Sequence, residues 1–207
     1  MIQTDPLHFT YPQGPSFDFP AFSLEKGESL LILGASGSGK STWLQVLSGL
    51  RKANRGDVHI GSTSLSSLTK QKMDAFRAEH IGFIFQEHHF VPSLSVWENL
   101  IVAHPYSKKF PVEKAKQMLQ DFGLEPLIHK KTQGLSQGEK QRLAILRAVL
   151  PQPDLIFADE PSSSLDDINC KKLINLLQEQ CKEAGSALIV VTHDQRIKDA
   201  FERRIER

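Results

Sequence analysis

The chain has 207 residues, 40% of them hydrophobic, enough for one α/β domain with a proper buried core and room for an inserted subdomain. A formal net charge of +1 argues against bulk binding to nucleic acid or to an acidic membrane, and no nucleic-acid partner is expected. No apolar run approaches the roughly 20 residues that span a bilayer, and the N-terminus lacks a basic flank followed by an apolar core, so any membrane role is expected to come through a partner.

In chain order, the first organising element is SLLIL at 29–33. It is near-continuously apolar, as expected of a strand buried on both faces of a parallel sheet. GASGSGKST follows and fits G-x-x-x-x-G-K-[ST], between that strand and a helix expected over 42–50. The stretch Gly34, Ala35, Ser36, Gly37, Ser38, Gly39, Lys40, Ser41 and Thr42 is therefore the expected phosphate-binding loop. Glycines let backbone N–H groups wrap a phosphate chain, Lys40 supplies a point charge to the outer phosphates, and Ser41 offers a hydroxyl to Mg²⁺. A plain Gly/Ser-rich turn would explain the glycines but not the lysine and serine at fixed offsets. Gln86 closes IGFIFQ and offers a carbonyl oxygen to Mg²⁺ or water; taken alone it is an ordinary strand-end residue.

A more helical region covers roughly 87–150 and carries LSQGEKQR at 135–142. Ser136 followed by Glu139 has the form of a capping box, and an apolar stripe continues from 143 to 150. Gly138 sits in the first turn, where glycine costs roughly 1 kcal/mol relative to alanine. A free helix N-terminus with a small residue favours an anion brought close to the backbone.

LIFA at 155–158 and ALIVVT at 187–192 read as two further buried strands, ending in Asp159-Glu160-Pro161 and His193-Asp194. Ligands in open α/β sheets bind at the carboxyl ends of strands, so these groups and the glycine-rich loop should share one crevice. Neighbouring residues at a strand end point opposite ways. Asp159 is thus placed to hold Mg²⁺ and Glu160 to polarise the water that attacks a γ-phosphate, although a solvated acidic turn would look the same in isolation. His193 is read as a γ-phosphate contact, against the general tendency of lone histidines to be structural. Cys170 and Cys181 lie in one expected helix roughly 16 Å apart, too far to bridge, which suits a reduced cytosolic setting.

Taken together, the glycine-rich loop, Gln86, LSQGEKQR, LIFADE, SSSLD at 162–166 and His193 resemble the ATP-binding cassette (ABC) ATPases in order and approximate spacing, from about 11 to the C-terminus. The resemblance implies a P-loop NTPase core of RecA-like α/β type, with a mainly parallel sheet and a small antiparallel region. It implies one domain, its nucleotide-binding core at 1–86 and 151–207 and a helical signature subdomain at about 87–150. It also implies ATP and Mg²⁺ as ligands, with Lys40, Glu160 and His193 catalytic and with Ser41, Gln86 and Asp159 around the metal. In that family two copies work antiparallel. Ser136 and Gly138 would grip the γ-phosphate held by the partner's P-loop, Asp166 would line the seam, and the partner would be a second copy or a paralogous ATPase. Tyr11, in FTYPQGP, would stack on adenine or else pack a sheet edge. Two departures stand out. Gln137 replaces the usual glycine and must tolerate that turn's backbone angles, and Ser162-Ser163-Ser164 replaces a threonine-led variant.

Within the family, EHIGFIFQEHHFVPSLSVWENL (79–100) looks most like the lipoprotein-release, macrolide-export and cell-division branch, which drives separate membrane subunits. The implied protein is an ATPase on the cytoplasmic face of the inner (plasma) membrane, contacting an integral membrane subunit through about 87–106. His88-His89, lacking further ligands, reads as surface rather than metal site. The fourteen residues after His193 leave room for a helix and a short strand, FERRIER, and none for the C-terminal regulatory domain of some sugar importers. A soluble ABC ATPase of DNA repair, chromosome organisation or translation is the alternative, disfavoured by the absence of coiled-coil heptads and of a second cassette. A subunit that binds ATP without turnover is a third reading.

Overall fold

The computed structural model describes residues 1–104, 110–163 and 165–207. From the N-terminus come β1 (Ile2–Thr4), β2 (Leu7–Thr10), β3 (Ser16–Phe19), β4 (Ser23–Leu24), β5 (Ser29–Leu33), α1 (Lys40–Leu47), β6 (Val58–Ile60), β7 (Thr63–Ser64), α2 (Lys70–His80) and β8 (Ile81–Ile84). Then follow α3 (Val96–Val102), α4 (Val112–Asp121), α5 (Gln137–Val149), β9 (Leu155–Asp159), α6 (Asp167–Ala184), β10 (Ala187–Thr192), a 3₁₀ turn at Gln195–Ala200 and β11 (Arg203–Glu206).

The central sheet runs β11-β5-β10-β9-β8, and every described pairing in it is parallel. The three strands expected from apolar runs, β5, β9 and β10, lie side by side at its centre. A strand's side chains alternate between faces, so each apolar run feeds two cores at once. Leu31, Leu33, Ile156, Ala158, Leu188 and Val190 join the cluster that also holds Leu100, Leu119, Leu143 and Leu177 of the helices. Leu30, Ile32, Leu155, Phe157, Ile189 and Val191 face the other way, against Trp43 and Leu44 of α1 and the antiparallel strands. Those form a small sheet ordered β4-β1-β6-β7, beside the β2-β3 hairpin.

Some boundaries differ from the sequence reading. The helix after the glycine-rich loop spans Lys40–Leu47 rather than 42–50: Gly39 caps its start at φ 88°, and Gly49 turns left-handed at φ 68° just past its end. β8 stops at Ile84, leaving Gln86 two residues beyond the strand. The segment after His193 folds as the expected short strand preceded by a 3₁₀ turn rather than an α-helix. Cys170 and Cys181 both lie in α6, buried and free, and burial pushes the Cys181 thiol up to about 12. Among the described residues no helix is long and apolar enough to cross a membrane.

Candidate active site

The carboxyl ends of β5, β9 and β10 bring three of the expected groups together. The loop from Gly34 to Gly39 leaves β5 and enters α1 against other chain: a side chain at Gly39 would run into the ring of Phe17, and one at Gly34 would press on the backbone carbonyl of Arg207. Close approach excludes a Cβ at both. Lys40, only 6% exposed, donates through Nζ to the carbonyls of Gly34 and Ala35 at 2.8 and 2.9 Å. Ser38 Oγ is buried with no hydrogen-bond partner among the described residues, a hydroxyl free for a phosphate oxygen. Ala35, Ser36 and Gly37 are exposed at the tip.

Asp159 ends β9 and accepts a hydrogen bond from Ser41 Oγ at 3.0 Å. Burial raises its carboxyl above the ordinary range and the charge of Glu160 adds to this, while the Ser41 bond and Lys40 oppose it. A hydroxyl and a buried carboxylate side by side are hard oxygen donors that suit Mg²⁺. Glu160 is one residue further on, at φ 48°. This left-handed turn, uncommon outside glycine, swings its carboxylate toward the end of β10. There it accepts from Thr192 Oγ1 at 2.6 Å and from the His193 backbone N–H at 3.2 Å. His193 Nδ1 lies 3.0 Å from Glu160 Oε1, and Lys40 Nζ lies 3.7 Å from the same oxygen.

The other expected residues lie apart from this cluster. Tyr11 meets it through Thr42, whose Oγ1 is 3.0 Å from the phenol oxygen, and through Phe17, which its ring meets edge-on. Its ring is also covered by the Arg51 guanidinium, 4.7 Å from the centroid, and meets Phe9 edge-on. Gln86 is exposed and lines a separate recess with Glu87, His88, Phe90 and Gln137. Ser136 caps α5, accepting from the Glu139 N–H while Glu139 accepts from the Ser136 N–H, so the capping box is complete. Gly138 and Asp166 share a cavity of about 500 Å³ with Arg142, Leu165 and Asn169. Asp166 caps α6 by accepting from Asn169 N–H.

Gln137 meets the demand placed on it. It sits in the first helical turn, and the described non-glycine residues with left-handed backbone are His89, Gln152 and Glu160. The replaced glycine therefore imposes no strain. Thr192, Asp194 and Arg196 gather around Glu160 and the loop after it, although sequence assigned them no role; Asp194 was visible beside His193, whereas Arg196 and Arg51 carry no pattern that marks them.

A phosphate loop joining a central parallel strand to a helix, facing two carboxylates and a histidine on the adjacent strand ends, defines a P-loop NTPase. The family model described as ABC transporter matches residues 18–163, and the chain belongs to that family. The lipoprotein-releasing system ATP-binding protein LolD of Legionella pneumophila strain Paris is 38% identical over 184 residues, spanning 87% of this chain and 81% of the relative. The ATP-binding cassette MJ0796, solved as a dimer in a post-hydrolysis state bound to ADP and Pi, superposes with a TM-score of 0.87 at 31% identity, over 100% of this chain and 94% of that one. A third structure, cbiO1 from Clostridium perfringens, described as part of the ABC transporter complex cbiONQ, gives 0.82 at 28% identity over 93% and 78%. This protein is an ATP-binding, ATP-hydrolysing transporter subunit that works with a membrane subunit, and its likeness to the lipoprotein-releasing branch bears out the sequence reading.

Proposed function

We propose that ATP binds along the 34–42 loop with Lys40 on its outer phosphates, that Ser41 and Asp159 hold Mg²⁺ there, and that Glu160 takes the proton of the attacking water. Mg²⁺, when bound, neutralises phosphate charge. The carrying observation is the Glu160 carboxylate, buried, 3.7 Å from Lys40 Nζ and hydrogen-bonded to Thr192 and His193. A carboxylate held that firmly beside the phosphate lysine is oriented before substrate arrives, which is what a general base needs. His193, with Nδ1 engaged by Glu160, keeps Nε2 for the γ-phosphate. Tyr11 offers its ring to adenine.

Ser136 and Gly138 act on the nucleotide of a second copy, with Asp166 at the seam. The shared Gly138–Asp166 cavity and the dimeric state of the MJ0796 cassette support this. The membrane subunit docks on the segment after Gln86, about 87–106, of which residues 105 and 106 lie outside the described residues; exposed Val91, Ile101 and Val102 support that surface. The protein accordingly works at the cytoplasmic face of the inner membrane.

The test is Glu160→Gln, assayed for nucleotide binding and phosphate release. It should bind MgATP, form a more persistent ATP-dependent dimer, and lose turnover by about 10²–10⁴-fold. Near-normal phosphate release would remove Glu160 from the role of base.

A further inference from the structure

Arg196 lies in the 3₁₀ turn after β10 and bridges two loops that carry proposed functional residues. Its Nε and Nη2 donate to the two carboxylate oxygens of Asp194 at 2.9 and 2.7 Å. Nη1 donates to the Leu165 carbonyl at 3.0 Å and to Asp167 Oδ1 at 2.8 Å, on either side of Asp166. Asp194 also accepts from Ser162 Oγ at 2.8 Å, and its N–H donates to Thr192 Oγ1 at 3.0 Å, the hydroxyl that itself donates to Glu160. An unbroken hydrogen-bonded path thus runs from the Glu160 carboxylate through Thr192, Asp194 and Arg196 to the backbone flanking Asp166. A planar guanidinium suits this place, because its fork bonds a carboxylate with two parallel donors and still has donors for a third partner; a lysine ammonium has no such fork.

We propose that Arg196 is a positioning residue of the ATPase cycle: it locks Leu165 and Asp167, on either side of Asp166, to the loop bearing His193, so that Asp166 and the Glu160 carboxylate keep a fixed relation. This rests on the roles given above to Glu160 and Asp166. The arginine bond holds the Asp194 carboxyl down to about 2, so the clamp is ionised throughout the working pH range. The Arg196 side chain is 36% exposed but that of Asp194 only 8%, so R196A leaves a largely buried carboxylate without its main partner and lowers stability, a cost that D194N in the same chain relieves. The positioning role is therefore read in kcat measured well below the thermal midpoint, with R196A/D194N separating catalysis from folding.

The experiment compares R196A, R196K, D194N and R196A/D194N in the full chain, measuring kcat, ATP Kd and thermal midpoint, with E160Q as a control. R196A should lower kcat about tenfold, leave ATP Kd within about twofold because the phosphate loop is untouched, and lower the midpoint by more than R196A/D194N does. R196K, keeping the charge but losing the fork, should recover part of kcat. The double variant should be about as slow as the slower single variant, since both residues act as one unit. The inference is overturned if R196A turns over within twofold of wild type, if the two single effects multiply, or if kcat, ATP binding and midpoint all collapse together. An active E160Q would sink the reading beneath it; an inactive E160Q beside an unaffected R196A would sink this inference alone.

Discussion

The phosphate loop and the start of α5 are both devices for holding anions, and they are finished to different degrees within one chain. Around the phosphate loop most of the functional side chains already face internal partners: Lys40 two loop carbonyls, Ser41 the Asp159 carboxylate, Glu160 both Thr192 and His193. At the start of α5 the capping box is complete, but Gly138 faces a cavity of about 500 Å³, and a Cβ there would find only Arg142 Nη1, at 3.8 Å. Gly34 and Gly39 of the phosphate loop are required by the chain's own packing, whereas the glycine of α5 is not. A small residue that nothing internal demands leaves room for a ligand from outside, which is the place proposed above for the nucleotide of a second copy.

The strongest way to break this comparison is to damage each half separately. Lys40→Ala removes the charge on the phosphates, and Gly138→Asp sets a carboxylate against the incoming γ-phosphate. Each alone should reduce phosphate release by at least about 10²-fold. Gly138→Asp should do so without loss of melting temperature, because the new side chain has room and an acidic residue suits a helix N-terminus. On equal mixing, half the dimers are mixed and one of their two sites is whole, so activity should return to about a quarter of wild type if sites fire alone. No recovery in dimers shown by pull-down to be mixed would mean that both halves belong to one chain's site or that the sites fire only together; a tandem fusion with one damaged signature separates the two.

A smaller effect sharpens the account of the phosphate-loop side. Arg51 covers the Tyr11 ring, a contact worth about 0.5–1 kcal/mol at exposed sites. If that ring meets adenine, Arg51→Ala should weaken ATP binding by about two- to fivefold. It should leave tripolyphosphate binding unchanged and have no effect once Tyr11 is alanine. An equal loss for ATP and tripolyphosphate would show that Arg51 acts on the phosphates instead.

The smallest effect is on stability. Burial holds the Asp159 carboxyl above its unfolded value, so the folded state is favoured below the unfolded pKa of about 3.9 and loses that advantage as pH rises through the folded pKa. Without nucleotide or magnesium, Asp159→Asn should therefore melt about 2 °C higher than wild type at pH 7, with the gap closing toward pH 4. A lower melting temperature at pH 7 would mean that Ser41 and Lys40 outweigh the burial. No comparable strain is expected at α5, where Gly138 and Asp166 lie beside open space.

Much of the phosphate-loop side was legible because its signals are local. The apolar runs at 29–33 and 187–192 match β5 and β10 residue for residue, since a strand buried on both faces needs no alternation and ends where polar residues begin. The capping box at Ser136 and Glu139 is likewise a four-residue pattern that the structure repeats. The antiparallel strands were not individually readable. β4 and β7 have two residues each, too short for any periodicity, and β1 finds its partners β4 and β6 only through register set by distant chain. The role of Thr192 was hidden for a related reason: as the last residue of an apolar run it reads as strand, and its hydroxyl matters only because β9 lies beside β10.

Sequence by itself determined which residue types stand at the strand ends and the helix start, because spacing, glycine placement and capping chemistry are properties of a few consecutive residues. It also determined the family, since several such patterns occur in a fixed order along the chain. Only the tertiary structure decided that β10 lies between β5 and β9, and hence that Lys40, Glu160 and His193 meet. It likewise decided that Arg196 bridges Asp194 to the chain on either side of Asp166. Strand order and side-chain bridges join residues dozens of positions apart, and they are fixed by the packing of whole faces, which no local pattern records.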